Sequence, residues 1–416
     1  MYDLVILNVL HRGNRVDVAI QGSIFAAVEP AGTLIQASSK MRWDGANYLI
    51  RPPFYNTHTH QAMTLFRGTG DDCSLMDWLS HHIWPRENRL TPEAVYAGTR
   101  LAIVEGLHSG CVGFNDMYFH QPQTIRAAWE MGVRAQIGLV FMNQVSEHIE
   151  NEATLALRDT LPDTIHLTLA PHAIYTTTPA LLHDLSQKAD KFALPIHIHA
   201  AESLAEHKQA NAFGFSSPVT YLKSCGILRP GTILAHACHL SDADRDLLAS
   251  NNVIIAHCPQ SNQKLASGTF EWEKAAKAGI SITVGTDGAA SNNGLSMIAE
   301  TKAAALTARI ASASPEALPF EALDAAVTSV AAQALGFPNA GRIAPGADAD
   351  LILVDLRTPP FACGGNADVN FIYAADSASV DTVLCAGKIL MRHRHIAGEG
   401  RIQEAAHQAA EALRHT

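Results

Sequence analysis

The chain has 416 residues, 47% hydrophobic and 17% charged, with a formal charge of −10, a composition that specifies a folded globular protein. The acidic balance argues against a nucleic-acid partner and against carboxylate-rich substrates, and no uncharged apolar stretch reaches the ~18 residues of a membrane span. The seven cysteines are odd in number and include no Cys-x-x-Cys pair, which fits a reduced, cytoplasmic protein.

Residues 1–52 read as short strands and turns. Asp3 precedes the first apolar run where a signal peptide carries basic residues, so the N-terminus is expected to be a strand. After Pro52-Pro53 the character changes. Eight apolar runs are expected as strands, over residues 48–57, 111–117, 134–141, 165–175, 195–202, 232–240, 253–259 and 280–288. Amphipathic stretches such as 91–108, 179–191 and 241–251 lie between them, with Thr91-Pro92 and Ser241 as helix starts and Gly110 and Gly132 as stops. Near-continuous apolar strands alternating with helices predict a parallel sheet covered on both faces. Eight units predict a (β/α)8 TIM barrel over 53–340. An open doubly wound sheet is the alternative, but no Gly-x-Gly-x-x-Gly follows a strand to make it a dinucleotide binder.

Short strands return at 351–354 and 381–390, the latter with a turn at Gly387. With the N-terminal strands they are expected to form a small composite β-sandwich domain, residues 1–52 and 341–396. Residues 397–416 are Ala- and Glu-rich and predict a C-terminal helix.

Polar residues recur where the barrel strands end, the face at which such barrels carry their chemistry. The first strand ends in Asn56-Thr57-His58-Thr59-His60. Residues two apart on an extended chain point the same way, so both imidazoles can face one ion. The fifth ends in His197-Ile198-His199-Ala200-Ala201-Glu202. His199 is nearer the end and is the better ligand, while His197 is expected one layer deeper. Glu202 is placed to act as a general base. The sixth, seventh and eighth strands end with His236, His257 and Asp287. Alone, His-x-His is a weak motif and an acid between glycines is more often a turn former. Together at one face they predict a metal-dependent hydrolase.

These residues resemble the amidohydrolase superfamily: a His-x-His, a strand-five His, a strand-six His and a strand-eight Asp. Within it the chain looks like the 5′-methylthioadenosine/S-adenosylhomocysteine deaminases. Two long blocks carry this, Cys258-Pro259-Gln260-Ser261-Asn262-Gln263-Lys264-Leu265-Ala266-Ser267-Gly268 and Gly285-Thr286-Asp287-Gly288-Ala289-Ala290-Ser291-Asn292-Asn293, together with Ile83-Trp84-Pro85-Arg86-Glu87 and Asn115-Asp116-Met117-Tyr118. The resemblance implies one divalent ion, zinc first and Fe2+, Mn2+ or Ni2+ as alternatives, held by His58, His60, His199, His236 and Asp287. Strand four ends in Ala170-Pro171-His172, without a lysine for a bridging carbamate, which favours one ion over two. Glu202, His257 and Asp287 are then the catalytic residues. Glu202 moves a proton from the attacking water to a ring nitrogen, His257 meets the developing charge, and Asp287 passes a proton to departing ammonia. Glu87 matches the acid that holds the ribose diol, His172 lies near the ribose or ring, and Trp84 and Met117 pack against the ring or 5′ group.

One departure bears on the substrate. Relatives that accept S-adenosylhomocysteine carry arginines at and after strand three, whereas Ile137-Gly138-Leu139-Val140-Phe141-Met142-Asn143-Gln144 has none. A neutral 5′ substituent is therefore expected, in an adenosine-type nucleoside such as 5′-methylthioadenosine, 5′-deoxyadenosine or adenosine. Competing expectations are an aminohydrolase of guanine, a pterin or a triazine, and a non-catalytic relative. The intact ligand set argues against the last. A homodimer is a family-level expectation only.

Overall fold

Pro52-Pro53 decides where the architecture changes, because proline offers no N–H to a sheet ladder. In the computed structural model, which describes residues 1–143 and 146–414, the 48–57 run is accordingly two strands, Tyr48–Arg51 and Phe54–His60. The expectation of one strand is corrected: the first half pairs with Leu351–Asp355 and Tyr2–His11, and the second pairs with Cys111–Met117.

Among the described residues, eight strands from both chain ends make one mixed sheet. Its order runs Lys388–Met391, Val380–Cys385, Leu351–Asp355, Tyr48–Arg51, Tyr2–His11, Asn14–Gln21, Ile24–Pro30, with Ser39–Asp44 parallel to Tyr2–His11. Alternation puts Leu4, Ile6, Val18 and Ile20 into one apolar cluster with Leu351 and Leu353, and Val5 and Ala19 into another.

The strands in between are parallel and fall into two runs. Asp287–Gly288, Phe54–His60, Cys111–Met117, Arg134–Phe141 and Ile165–Pro171 form one; His197–Ala200, Ile233–His236, Ile254–His257 and Ser281–Val284 form the other. Single parallel bridges, Leu169 with Ile196 and Ala173 with His199, link them on one side. On the other side Thr57 Oγ1 donates to Thr283 Oγ1 at 2.8 Å and to the Val284 carbonyl at 3.0 Å. Cys111–Met117 and Arg134–Phe141 are buried at every residue, as strands covered on both faces must be. Several strands are shorter than their apolar runs, because left-handed residues follow or end them: Ala201 (φ 54°), His236 (φ 74°), Ala237 (φ 53°) and Asp287 (φ 60°).

Helices Pro92–His108 and Pro179–Phe192 start as expected, with Thr91 and Thr178 hydroxyls accepting from backbone N–H groups three residues on and proline at the first turn. The C-terminal helix Glu399–Arg414 is pinned to Pro92–His108, where His108 Nε2 meets Glu399 Oε1 at 2.9 Å. No helix among the described residues is long and apolar enough to cross a membrane.

A buried ionic knot ties the mixed sheet to the parallel strands. Arg134 Nε donates to Asp350 Oδ2 at 2.6 Å, the Tyr55 hydroxyl donates to the same oxygen at 2.6 Å, and Ala386 N donates to Oδ1 at 2.6 Å. Asp350 is fully buried, so its charge is matched by protein donors such as these and not by water.

Candidate metal centre and substrate cleft

Four imidazoles converge at the strand ends, and each has one nitrogen already committed. His60 Nδ1 faces the Met117 carbonyl at 2.6 Å, His199 Nδ1 the His172 carbonyl at 2.8 Å, and His236 Nδ1 the Asn262 side-chain oxygen at 2.8 Å. An oxygen acceptor fixes the proton on Nδ1, so each Nε2 turns a lone pair inward. His58 Nδ1 is 2.8 Å from Nε2 of His197, which sits one layer deeper. Nε2 of His58 is buried, makes no hydrogen bond of its own and stands 3.4 Å from Asp287 Oδ1.

The inward atoms crowd one point. Ligand atoms of His58, His199, His236 and Asp287 all lie within 4.8 Å of one another. His60 Nε2 is 3.3 Å from His199 Nε2 and 3.2 Å from Asp287 Oδ1. Ring nitrogens facing at that distance share either a proton or a cation. The orphaned His58 nitrogen, three further imidazoles and one carboxylate fit a borderline divalent ion. Gly285 lets the strand-eight turn approach: a Cβ there would stand 2.7 Å from the His58 carbonyl oxygen.

Burial shapes the protonation of these groups. It pushes His58 down to about 4 and, with the neighbouring rings, His172 down to about 3. Burial also works against a charged His60, but the facing Asp287 carboxylate overrides it and raises His60 to about 9. Asp287 in turn is held well below the usual carboxylate range, against the cost of burial, by His58 and His60. Its other oxygen accepts from Ser261 Oγ at 2.6 Å and Ser291 Oγ at 2.9 Å.

Glu202 stands beside this ring, buried, with Oε2 3.8 Å from His236 Nε2. Oε1 accepts from Ser267 Oγ at 2.9 Å. A cleft opens above, floored by His60, His199, His236, Asp287 and Glu202 and walled by Trp84, Glu87, Met117 and His172. Val140, Met142 and Phe119 continue the wall, and beyond Glu87 the cleft widens past Asn143, His120 and Glu150. Gln144, the last residue of the arginine-free stretch, lies outside the described residues. His257 is not among the residues that line the cleft. Its ring packs against Phe270 and Trp272, with centroids 4.9 and 6.1 Å away, and burial lowers it to about 3.

Sequence reasoning missed the supporting residues. Ser261, Asn262, Ser267 and Ser291 lie inside the two long blocks singled out above, yet nothing in the blocks says what each one touches. Their signal is polar side chains following strands seven and eight where a plain connection would need none.

The profile described as "Amidohydrolase family" matches residues 49–390. The chain belongs to the amidohydrolase family. Within this family, a 5-methylthioadenosine/S-adenosylhomocysteine deaminase of Pelotomaculum thermopropionicum is 39% identical over 387 residues, covering 91% of this chain and 89% of its own length. A 5′-deoxyadenosine deaminase of Methanothermobacter thermautotrophicus is 39% identical over 361 residues, covering 84% of this chain and 83% of its own. Among solved amidohydrolase structures, an adenosine deaminase from Xanthomonas campestris with bound zinc superposes with a TM-score of 0.95 at 31% identity, over 100% of this chain and 99% of that one.

Proposed function

We propose that this amidohydrolase deaminates an adenosine-type nucleoside hydrolytically, with a single zinc ion. The observation that carries this is the convergence of His58, His60, His199, His236 and Asp287 beneath a cleft that holds Glu202 on its floor and Glu87 on its wall. The names of the relatives support the same class of substrate. The proposal takes the two parallel runs as one closed (β/α)8 barrel over 53–340. It takes residues 1–52 with 341–396 as the composite domain, 397–416 as its C-terminal helix, and the protein as a cytoplasmic homodimer.

A divalent ion in this site supplies Lewis acidity and lowers the pKa of water from 15.7 toward ~7. The chain does the rest. Glu202 accepts a proton from the attacking water and delivers it to the ring nitrogen next to the amine-bearing carbon. The water oxygen bonds to that carbon; His257, which lies outside the cleft lining and packs on Phe270 and Trp272, takes no direct part in this step. Asp287 moves the remaining water proton to the amine. The C–N bond then breaks, ammonia leaves, and the ring carbon keeps the oxygen as a carbonyl. Glu87 accepts from the two ribose hydroxyls, a geometry a carboxylate suits. Trp84 and Met117 flank the ring or 5′ group, and His172, kept neutral by burial, contacts ribose or ring.

At the 5′ end, a neutral substituent is preferred over a homocysteinyl tail. Val140, Met142 and Phe119 give an apolar wall. Farther out Glu150 faces His120 at 3.5 Å, an acid where a carboxylate tail needs a free cation. Ammonia release is to be screened across adenosine, 5′-methylthioadenosine, 5′-deoxyadenosine, S-adenosylhomocysteine, guanine and pterins, with metal analysis of the same sample. Release from guanine or a pterin alone refutes the nucleoside assignment. A higher kcat/KM for S-adenosylhomocysteine refutes the 5′ assignment.

A further inference from the structure

Glu202 has two carboxylate oxygens, and only one can serve the reacting centre. Its Oε1 accepts from Ser267 Oγ at 2.9 Å, while Oε2 is the oxygen turned toward His236. Both partners of the bond are buried, so water does not compete for it. The backbone that carries Glu202 is held independently. Three successive N–H groups, of Ala201, Glu202 and Ser203, donate to the Glu206 carboxylate at 3.0, 2.8 and 3.1 Å. Glu206 is 2% exposed, and its carboxyl is pushed up to about 7 by burial and by the Glu202 charge, against those three donors.

A helix cap needs less than this. The start Ser241–Asp244 uses one carboxylate oxygen for the N-cap N–H and hydroxyl, at 3.0 and 2.7 Å, and spends the other on Ser217. Glu206 spends both oxygens on the peptide that carries Glu202. It thereby also fixes Ala201, whose left-handed φ of 54° turns the strand into the loop. A left-handed alanine costs about 1–2 kcal/mol and persists only where surrounding bonds over-determine it.

We propose that Ser267 and Glu206 are positioning residues that brace Glu202 from opposite ends, Glu206 through the backbone and Ser267 through Oε1, so that Oε2 is the oxygen that carries the proton. Neither residue lines the cleft. The brace rests on the function proposed above for its kinetic consequence, but its geometry can be observed without activity.

The test compares Ser267→Ala, Ser267→Thr, Glu206→Gln and, as a control cap that does not line the cleft, Asp244→Asn. Steady-state ammonia release from the best nucleoside, melting temperature, metal content and crystal structures are measured for each. For Ser267→Ala and Glu206→Gln the expected result is a 10- to 100-fold fall in kcat, on the order expected when a proton-transfer group is misplaced. KM is expected within threefold of wild type, metal content unchanged, and the Glu202 carboxylate rotated in the crystal structures. Ser267→Thr, which keeps the hydroxyl, recovers most of kcat, and Asp244→Asn lowers the melting temperature without lowering kcat. A fall in kcat that follows melting temperature across all four variants overturns the brace. So does an unmoved Glu202 carboxylate in both structures, and that result counts even for a wild type that releases no ammonia, an outcome that refutes the nucleoside assignment separately.

Discussion

Replacing Asn262 with alanine removes the acceptor that fixes His236. The side-chain oxygen lies 2.8 Å from His236 Nδ1, and both residues are buried. Without it, Nδ1–H has no partner, and a buried unpaired donor costs about 1–3 kcal/mol. The ring relieves that cost by rotating, which turns Nε2 away from the ligand point. Loss of such an outer partner typically weakens metal binding about 10- to 100-fold, or roughly 1.4–2.7 kcal/mol. The substitution spares the turn itself, because Ser267 N donates to the Asn262 backbone oxygen at 2.9 Å and that bond needs no side chain. Zinc affinity measured by competition against a chelator of known strength is therefore expected to fall by one to two decades. Ammonia release is expected to return toward wild type as free zinc is raised. Asn262→Asp keeps the acceptor and retains affinity. Zinc affinity of Asn262→Ala within twofold of wild type refutes the idea that the Nδ1 partner orients this ligand.

Three further outcomes are expected. Glu87→Ala lowers kcat/KM for nucleosides by at least about 100-fold, the loss of two hydrogen bonds to a charged group at ~1.5–3 kcal/mol each, and leaves any free-base activity nearly unchanged; equal losses on both substrate types count against the ribose role. Asp350→Ala leaves Arg134 buried without its main partner and destabilises the fold by about 3–5 kcal/mol, read by denaturant unfolding, with a change under 1 kcal/mol refuting the knot's role. Met142→Arg places a cation on the cleft wall and raises the ratio of kcat/KM for S-adenosylhomocysteine over 5′-methylthioadenosine by at least tenfold, and an unchanged ratio moves the 5′ substituent elsewhere.

Much of the fold was legible because its signals are local. Strands Cys111–Met117 and Arg134–Phe141 begin and end where their apolar runs do. Helix Pro92–His108 starts at the Thr-Pro that predicts it. His58, His60, His199, His236 and Asp287 could be picked out because each closes an apolar run, and a polar residue at such a place needs a reason. Two kinds of information were not local. The double proline splits residues 48–57 between two sheets, which depends on a pairing with Leu351–Asp355 some three hundred positions away. The supports of the site also reach across the chain: Asn262 meets His236 across 26 positions and Ser267 meets Glu202 across 65. Helix Pro259–Lys264, which carries Ser261 and Asn262, is six residues long. That is too short for a hydrophobic period to announce it.

Four of the sixteen left-handed non-glycine residues among those described lie at the strand ends that carry the site, and they explain why the site residues look misplaced by local rules. His236 and Asp287 are themselves left-handed, as are Ala201 and Ala237 beside them. Glycine is the usual occupant of that region. Histidine and aspartate stand there because their side chains are needed, and the chain offsets the cost with bonds. Ala237 N donates to the Ala200 carbonyl at 3.2 Å and His239 N to the Ala201 carbonyl at 2.9 Å. Thr59 and Thr286 hydroxyls donate to the Asp287 carbonyl at 3.1 and 3.0 Å. Glycine at 201 or 237 would remove the strain, but it would return to the loop the freedom that alanine denies it. For an acid–base group that must stay within a few tenths of an ångström of its target, a strained and over-bonded alanine is the better residue. The left-handed turns at strands five, six and eight thus aim Glu202, His236 and Asp287 at one point from three different strand ends.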